Sequence, residues 1–541
     1  MKKIIVSTLA LLPFGFSAMA QSAMDAFQLS SQDLNGTARF MSMGGAFTAL
    51  GGDISTIAQN PGGIGVYRKS EISLTLGLDF QNNKMSTPVG SFKDNRTDFN
   101  CNNFGYVGTI DTGNDILRSI TWGATYNRVA SFNRKYHIGN MSADGYYNGP
   151  KINGSLTNYI ASYTNASNYS PEELLDDTSS SYNPYYDSDC DWLSILAYNS
   201  YMINPVNNGN PPYSGLWQNG ISNGDMGMDV REHGSIDEYN LSFGGNISDM
   251  VYWGLAFGIT DLNFTQESNY NEQINNAAVP NPDATGVETG DAYYNLNNWR
   301  NVNGTGVNFK FGVIVKPVNE LRLGFAVHTP TYYSLSQSET AQTNFSYSTG
   351  YDNRQVDADY TNFDWKLKTP WKLMFGIAGV IDARYIISAD YEYAAYDNIK
   401  LSSRGTYFDY TPENNDIKSY YEPQHTIRLG GEVRITPQFS ARIGYSYTTS
   451  GVKSATNNAA DIVTSGLNPA YTMGKDTQYI TLGLGYRWSN FYIDAAFVNR
   501  KKESTWHAYT DYFDNNTRVS APSFNLSKTN NQVVLTLGYR F

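Results

Sequence analysis

Five histidines, two cysteines and one serine in a Gly-x-Ser-x-Gly setting are the residues of this 541-residue chain best suited to covalent or metal chemistry. The tract GISNG (220–224) has the spacing of a nucleophile elbow, where a sharp strand-to-helix turn presents a serine hydroxyl. It lies in a polar stretch with no strand-like run before it and no helical run after it, so the match is accidental. His137, His233, His328, His425 and His507 lack the His-x-x-x-His or Cys-x-x-Cys company of a catalytic zinc. The expectation is therefore no catalytic residue, no metal, no cofactor and no enzyme. Charge remains. Arg322, Arg384, Arg428, Arg442, Arg434 and Arg487 share a side of their segments with Asp390, Glu392, Glu432 and Asp494. A guanidinium can hold a carboxylate ligand by two parallel hydrogen bonds, so Arg322, Arg384, Arg428 and Arg442 are candidate ligand-binding residues. The competing role is an acid–base ladder, since charges withdrawn from water mostly pair with each other.

The segments that carry these charges alternate. SEISLTLGLDF (70–80) puts Ile72, Leu74, Leu76, Leu78 and Phe80 on one face and Ser73, Thr75, Gly77 and Asp79 on the other. MVYWGLAFGITDL (250–262), QFSARIGYSYTT (438–449) and the closing NNQVVLTLGYRF (530–541) repeat the pattern. It also occurs near 102–110, 118–130, 238–247, 305–315, 319–336, 361–381, 383–396, 425–435, 478–488 and 490–500, giving 14 segments. The connections alternate strictly between six short ones, such as 248–249 and 489, and seven long ones, the longest being 131–237. That is the pattern of an up-and-down 14-stranded antiparallel transmembrane β-barrel with long extracellular loops. In hydrocarbon every backbone N–H and C=O must be paired, so a sheet can span only by closing on itself. A soluble sandwich would turn a polar face outward and would not sort its loops into two lengths. Phe439, Trp488, Phe491 and Phe541 lie near the short connections, where an interfacial aromatic belt belongs. The chain then ends where its last strand reaches the membrane interface.

Bulk properties agree. Lys2 and Lys3, an apolar run from Ile4 to Phe16 and Ala18-Met19-Ala20 form a signal peptide over 1–20. The remaining chain is acidic with no basic cluster, which excludes nucleic acid as a partner. Cys101 and Cys190 in an exported chain are a candidate disulfide, too few for a disulfide scaffold. Within 131–237, SPEELLDD (170–177) has a Ser170/Glu173 capping box with Pro171 at the first helical position, and 191–203 has helical spacing.

Residues 21–69 precede the barrel (70–541) and cannot span. Asp53 is placed as the N-cap of a short helix ended by Asn60-Pro61, and Gly44, Gly45 and Gly62 supply tight bends. Fourteen strands enclose more room than side chains fill, so this segment is expected to plug the lumen.

The stretch GTARFMSMGGAFTALGGDISTIAQNPGGI, followed in order by KFGVIVKPVNELRLGFAVHTP, TPWKLMFGIAGVIDARYIISADYEY, QHTIRLGGEVRITPQFSARIGYSYTTSGV and YITLGLGYRWSNFYIDAAFV, resembles the FadL-type outer-membrane transporters of long-chain fatty acids and other hydrophobic compounds. The long loops match poorly, and Asn60-Pro61-Gly62 stands for the family's Asn-Pro-Ala. The resemblance implies a hatch containing Gly44, Gly45, Asp53, Asn60, Pro61 and Gly62. It also implies an apolar ligand that lands among extracellular loops, enters a lumenal site and leaves sideways through a wall defect around the third strand. Gly123 in RSITWGATYNRVA (118–130) is the candidate kink there, or simply a lumen-facing glycine making room for the hatch. The partners implied are a hydrophobic small molecule, outer-membrane lipid and lipopolysaccharide, and the barrel assembly machinery, with a single copy in the outer membrane. A different role is a barrel scaffold whose large loops bind a secretion partner or surface macromolecule.

Overall fold

A computed structural model describes residues 22–139, 149–177, 181–207, 210–280, 287–348, 354–405, 409–454, 456, 462, 464, 466–514 and 517–541. The signal peptide expected over 1–20 lies outside them. Fourteen antiparallel strands form one closed wall. They are β1 (Glu71–Thr87), β2 (Gly90–Asp111), β3 (Leu117–Ser131), β4 (Asn223–Ile247), β5 (Val251–Pro280) and β6 (Val287–Val318). Next come β7 (Leu321–His328, resumed as Tyr332–Tyr347), β8 (Thr361–Lys368, resumed as Lys372–Ile381), β9 (Tyr385–Ala394) and β10 (Gln424–Arg434). The wall ends with β11 (Phe439–Thr448), β12 (Tyr471–Trp488), β13 (Phe491–His507) and β14 (Ser523–Arg540). Each pairs with its chain neighbours, and β14 closes on β1 from Arg540↔Glu71 to Asn525↔Ser86. Phe541, just past the end of β14, exchanges backbone hydrogen bonds with Ser70 in both directions (3.0 and 3.1 Å), so it is tied to the residue before β1.

The outer face is the apolar one. Ile72, Leu74, Leu78 and Phe80 on β1 are exposed, as are Val533, Leu535 and Leu537 on β14, while Thr75, Asp79 and Thr536 between them are buried. An apolar belt of this extent is tolerable only against lipid. No helix among the described residues is long and apolar enough to cross a membrane; the apolar outer face is carried by the strands. Tight turns mark one end: Ser248 and Asp249 both have positive φ (51° and 59°), the geometry that matches the twist of a two-residue hairpin. Trp488, Phe491 and Tyr539 cluster beside such a turn, with Phe491 and Tyr539 ring centroids 4.7 Å apart.

The other end, where long loops are expected, holds more strand than the sequence pattern indicates. β5 and β6 run 30 and 32 residues, and their register continues from Val251↔Val315 to Pro280↔Val287. Residues 81–101 likewise fold as the β1–β2 hairpin. Alternation persists past the lipid because the inward faces still have something to cover. That something is a cap built from the 131–237 insertion. Its helices α4 (Leu156–Ser167), α5 (Pro171–Leu174), α6 (Pro184–Asp187) and α7 (Trp192–Asn199) bury Leu156, Ile160, Ile195 and Leu196 against Ile274, Tyr294 and Trp506 of the extended strands. The expected Ser170/Glu173 capping box is present, with Pro171 at the first helical position. Glu272 of β5 anchors the cap. Fully buried, it accepts from Ser155 Oγ (2.5 Å), the Leu156 N–H (3.1 Å) and Tyr270 OH (2.5 Å). Burial raises its pKa, while Ser155 and Tyr270 hold it down.

Cys101 and Cys190 are free thiols. The disulfide reading is therefore corrected: Cys101 sits on β2 of the wall and Cys190 in the core of the cap, on different bodies of packing.

Candidate functional site

Residues 22–69 fill the lumen as a hatch of helices α1 (Ala23–Ser30), α2 (Ala38–Ser42) and α3 (Thr56–Gln59), with a 3₁₀ turn over Pro61–Val66. The wall makes room with glycine. A Cβ on Gly254 of β5 would lie 2.1 Å from the Pro61 carbonyl oxygen, on Gly324 of β7 2.0 Å from that of Thr48, and on Gly444 of β11 2.1 Å from the Gly44 nitrogen. Gly44 itself has φ 64° and would put a Cβ 2.9 Å from the Tyr445 backbone, so both sides of that contact require glycine. Gly62 meets Gly312 in the same manner, whereas Gly45 packs against Leu34 within the hatch. Polar pegs fix the position. The Ala38 N–H donates to Thr536 Oγ1 (2.7 Å), the Thr48 N–H to Asp390 Oδ2 (2.8 Å) and Arg322 Nη1 to the Leu50 carbonyl (2.7 Å).

Asp53 is buried, but not as the cap of α3. Ser55 holds the N-cap position, and Asp53 accepts from Thr37 Oγ1 (2.8 Å) and the Ser55 N–H (3.0 Å), tying the α3 start to the α2 cap. Asn60 is the end of α3 and the start of the next turn together: its Nδ2 donates to the Thr48 carbonyl (2.6 Å) and its Oδ1 accepts from the Gly62 N–H (2.9 Å), with Pro61 between them.

The four candidate arginines part company. Arg442 is committed to Glu432 (2.8 Å) and Asp494 (2.5 Å), and Arg428 to Glu392 (2.5 Å). Arg322 holds the hatch. Arg384 is corrected: it is exposed at the tight turn after β8, over the Tyr385 ring at 5.5 Å, because strand parity fails where the strand has ended. The acid–base ladder accounts for two of the four, Arg428 and Arg442, although Arg428 keeps a buried Nη1 without a partner. Gly123 is corrected as well. It faces inward against Ile64, and its strand is paired there on both sides, to Val107 and to Ser242, so the wall has no kink at that residue.

The wall parts a few residues further out. The β2–β3 ladder stops at Asn103↔Asn127, beside a bulge on β2 between the pairs Thr75↔Asn103 and Leu76↔Cys101. Beyond it β2 pairs only with β1 and β3 only with β4. Side chains span the gap: Arg128 Nη1 donates to Asn100 Oδ1 (2.9 Å) while Nε donates to Asp237 (3.0 Å), and higher up His137 Nδ1 meets Asp94 at 2.6 Å. Phe99, on the outer face at this level, is 69% exposed, which places the start of the gap beside lipid.

Two cavities meet around α1. The outer one, about 160 Å³, lies under the cap and is lined by Met24, Phe27, Phe132, Tyr136, Trp506 and Leu526. The inner one, about 180 Å³, lies in the lumen beside Leu34, Phe40, His328 and Arg428. Phe27 lines both, stacked on Tyr421 with centroids 4.5 Å apart. The edge of the gap lines both too: Asn127, Arg128 and Val129 face the inner cavity, and Ala130, Ser131 and Phe132 the outer. Ion pairs latch α1 and its following turn to the wall, Asp25 to Arg300 (2.8 Å) and Asp33 to Arg500.

The outer cavity also carries five cations, Arg134, Arg300, Arg500, Lys502 and Lys528, against three carboxylates, Asp25, Asp33 and Glu232. Lys502 makes no ion pair among the described residues, and Lys528 Nζ donates only to the Asn133 carbonyl (3.0 Å). Both stand beyond the apolar belt, which on β14 ends at Val533. Burial, then Arg500, pushes Lys528 down to about 7. Hydropathy alone hides these residues, because 501–531 is polar enough to resemble a loop although β13 and β14 continue through much of it. Continuing the inward parity of Asp494 through Arg500, Lys502, Ser504 and Trp506 would have found them.

Neither any family model nor any curated protein matches this chain. Solved structures do. A FadL homologue of Pseudomonas aeruginosa superposes with a TM-score of 0.50 at 13% identity, covering 94% of this chain and 99% of that one. The chain has the FadL fold. The toluene transporter TodX of Pseudomonas putida (TM-score 0.48, 13% identity, 94% and 99% covered) and TbuX of Ralstonia pickettii (0.44, 12%, 95% and 100%) are also similar to it. In this FadL-fold chain the hatch, the paired cavities and the parted ladder form one connected region.

Proposed function

We propose that this protein is an outer-membrane channel for passive uptake of hydrophobic small molecules, with anionic amphiphiles of the long-chain fatty-acid type as its preferred class. The observation that carries this reading is the pair of cavities divided by α1, whose common wall contains the edge where the β2–β3 ladder ends. Apolar walls favour an alkyl or aromatic body by about 25 cal/mol per Å² removed from water. The unpaired Lys502 and the surplus of cations favour a carboxylate head. Displacing α1 joins the cavities, and opening the Arg128–Asn100 bridge connects both to lipid. In this reading the barrel assembly machinery inserts the chain, and membrane lipid and lipopolysaccharide surround it as a monomer.

The test places Asn100→Cys and Arg128→Cys in a Cys101→Ser/Cys190→Ser background and joins them with a short bismaleimide. Uptake of a fluorescent dodecanoate by cells dependent on this protein is expected to fall to background when the bridge forms. Unchanged uptake in the bridged protein would sink the lateral route.

A further inference from the structure

The tight-turn mouth of the barrel holds a third cavity, about 420 Å³, that the uptake route does not use. It is lined by eight cationic side chains and two carboxylates, in a chain whose net charge is −12. Glu432 and Asp494 are already spent on Arg39 and Arg442, which form the inner floor at 2.5–2.9 Å. Arg540 and Arg68 pair with Glu71 and Asp249 at the rim. Arg322, Arg434 and Arg487 make no ion pair among the described residues, and the Nε of Arg322 is buried without a hydrogen-bond partner. The nearby turn acids Glu320 and Asp382 are exposed and bridge to none of them. Arg487 lies within electrostatic reach of Arg39, Arg434 and Arg540, and Arg322 of Arg39 and Arg68, so the surplus is concentrated rather than dispersed.

We propose that this vestibule is a binding site for a phosphate group, whether free or borne on a lipid. Arg434 and Arg487 without an ion-pair partner among the described residues, together with Arg322, whose Nη1 is held by the Leu50 carbonyl while its Nε has no acceptor, suit an anion with several oxygens and more than one charge, and guanidinium matches phosphate geometry in bidentate fashion. The site spans hatch and wall, since Arg39 belongs to the hatch and Arg322, Arg434 and Arg487 to strands or turns. A bound phosphate therefore favours the seated hatch. The inference does not rest on the uptake reading.

The experiment is isothermal titration of the full-length protein in a neutral detergent, with inorganic phosphate in one arm and dihexanoyl phosphatidic acid in the other. Saturable binding is expected, weakening as salt rises, and at least tenfold weaker in R434Q/R487Q. Those two arginines are exposed, and the folded state of the variant is checked by its heat-modifiable gel mobility. K366Q, at an exposed position of β8 away from all three cavities, is the control and is expected to bind as the parent does. Binding of both ligands assigns the site to phosphate itself, and binding of the lipid alone assigns it to a headgroup. No saturable binding in either arm, or equal affinity in R434Q/R487Q, overturns the proposal.

Discussion

If lumen-facing glycines are the seats of the hatch, adding a side chain at one of them should unseat it without disturbing the wall. Gly254 and Gly444 are the sharpest cases. A Cβ at Gly254 lies 2.1 Å from the Pro61 oxygen, and an ordinary contact begins near 3.4 Å, so the hatch backbone must retreat by about 1.3 Å. At Gly444 the obstacle is the Gly44 nitrogen, again at 2.1 Å, and Gly44 cannot give way by changing its side chain. Overpacking of this kind costs about 1–3 kcal/mol, which shifts a seated–unseated equilibrium by roughly 5- to 150-fold. The two contacts are made by different parts of the hatch, so their effects should nearly add. Gly379→Ala is the control, because nothing stands within 4 Å of a Cβ there. The assay is conductance in planar bilayers: the parent and G379A closed, G254A flickering open, and G254A/G444A open for a substantial fraction of time. Deleting 22–60 should give the same open state, and adding G254A to that deletion should change nothing more. If G254A/G444A conducts no more than the parent while remaining folded, the glycines do not seat the hatch and the reasoning fails.

Two further outcomes concern the outer end. Glu272→Gln removes a buried charged acceptor from Ser155, Leu156 and Tyr270, at about 1.5–3 kcal/mol for such a bond. Hydrogen exchange in α4 should then speed by at least tenfold while the β5–β6 ladder within the apolar belt stays protected; equal exchange in both forms would show that the cap is anchored elsewhere. The second concerns α8 (Thr411–Tyr420), which packs on α1. Burial, then Asp416 and Asp409, pushes Glu413 up to about 7, and burial lifts Asp416 to about 6. Raised carboxyl pKa values mean that the folded state binds more protons than the unfolded one, so α8 packing is fullest below about 4.5 and weakens as pH climbs through 7. Exchange in α8, corrected for its intrinsic rate, should be slower at pH 5 than at pH 8, and Glu413→Gln should lessen the difference.

The architecture was legible because a membrane imposes its rule on every strand. Segments such as 250–262 show apolar and small residues in strict alternation, and a one-residue slip would turn that apolar face into the lumen. Even the C-terminal Phe541 follows, tied to Ser70 just past the last rung. The cap was only half legible. Ser170, Pro171 and Glu173 announce a helix start by local chemistry alone. By contrast, the buried anchor Glu272 lies in a stretch, ESNYNEQINN, whose outward face is polar throughout and whose inward face mixes Tyr270 and Ile274 with Ser268 and Glu272, so its hydropathy does not separate a strand from a loop.

The parted ladder is the instructive miss, since its signal is in the sequence but was sought in the wrong residue. Glycine draws attention as a kink-former, yet Gly123 is demanded by the hatch side chain Ile64 packed against it. The better sign is a change of phase on the preceding strand. Phe99 and Phe104 both face outward, 69% and 47% exposed, although they are five positions apart, an odd number. Strict alternation forbids that, so one residue between them must be extra, and the bulge opposite Thr75/Leu76 provides it. The same slip turns Asn102 and Asn103 both inward, where the Nδ2 of Asn103 donates to Asn127 (2.6 Å) across the last rung of the β2–β3 ladder. A bulge leaves one residue unpaired and bends its strand, so a wall that must part somewhere at little cost parts next to one. The run of polar residues in FNCNNFG then serves a purpose that hydropathy alone would count against a membrane strand: the Asn103 amide donates to Asn127 at the last rung, and Asn100 accepts from Arg128 where the ladder no longer runs.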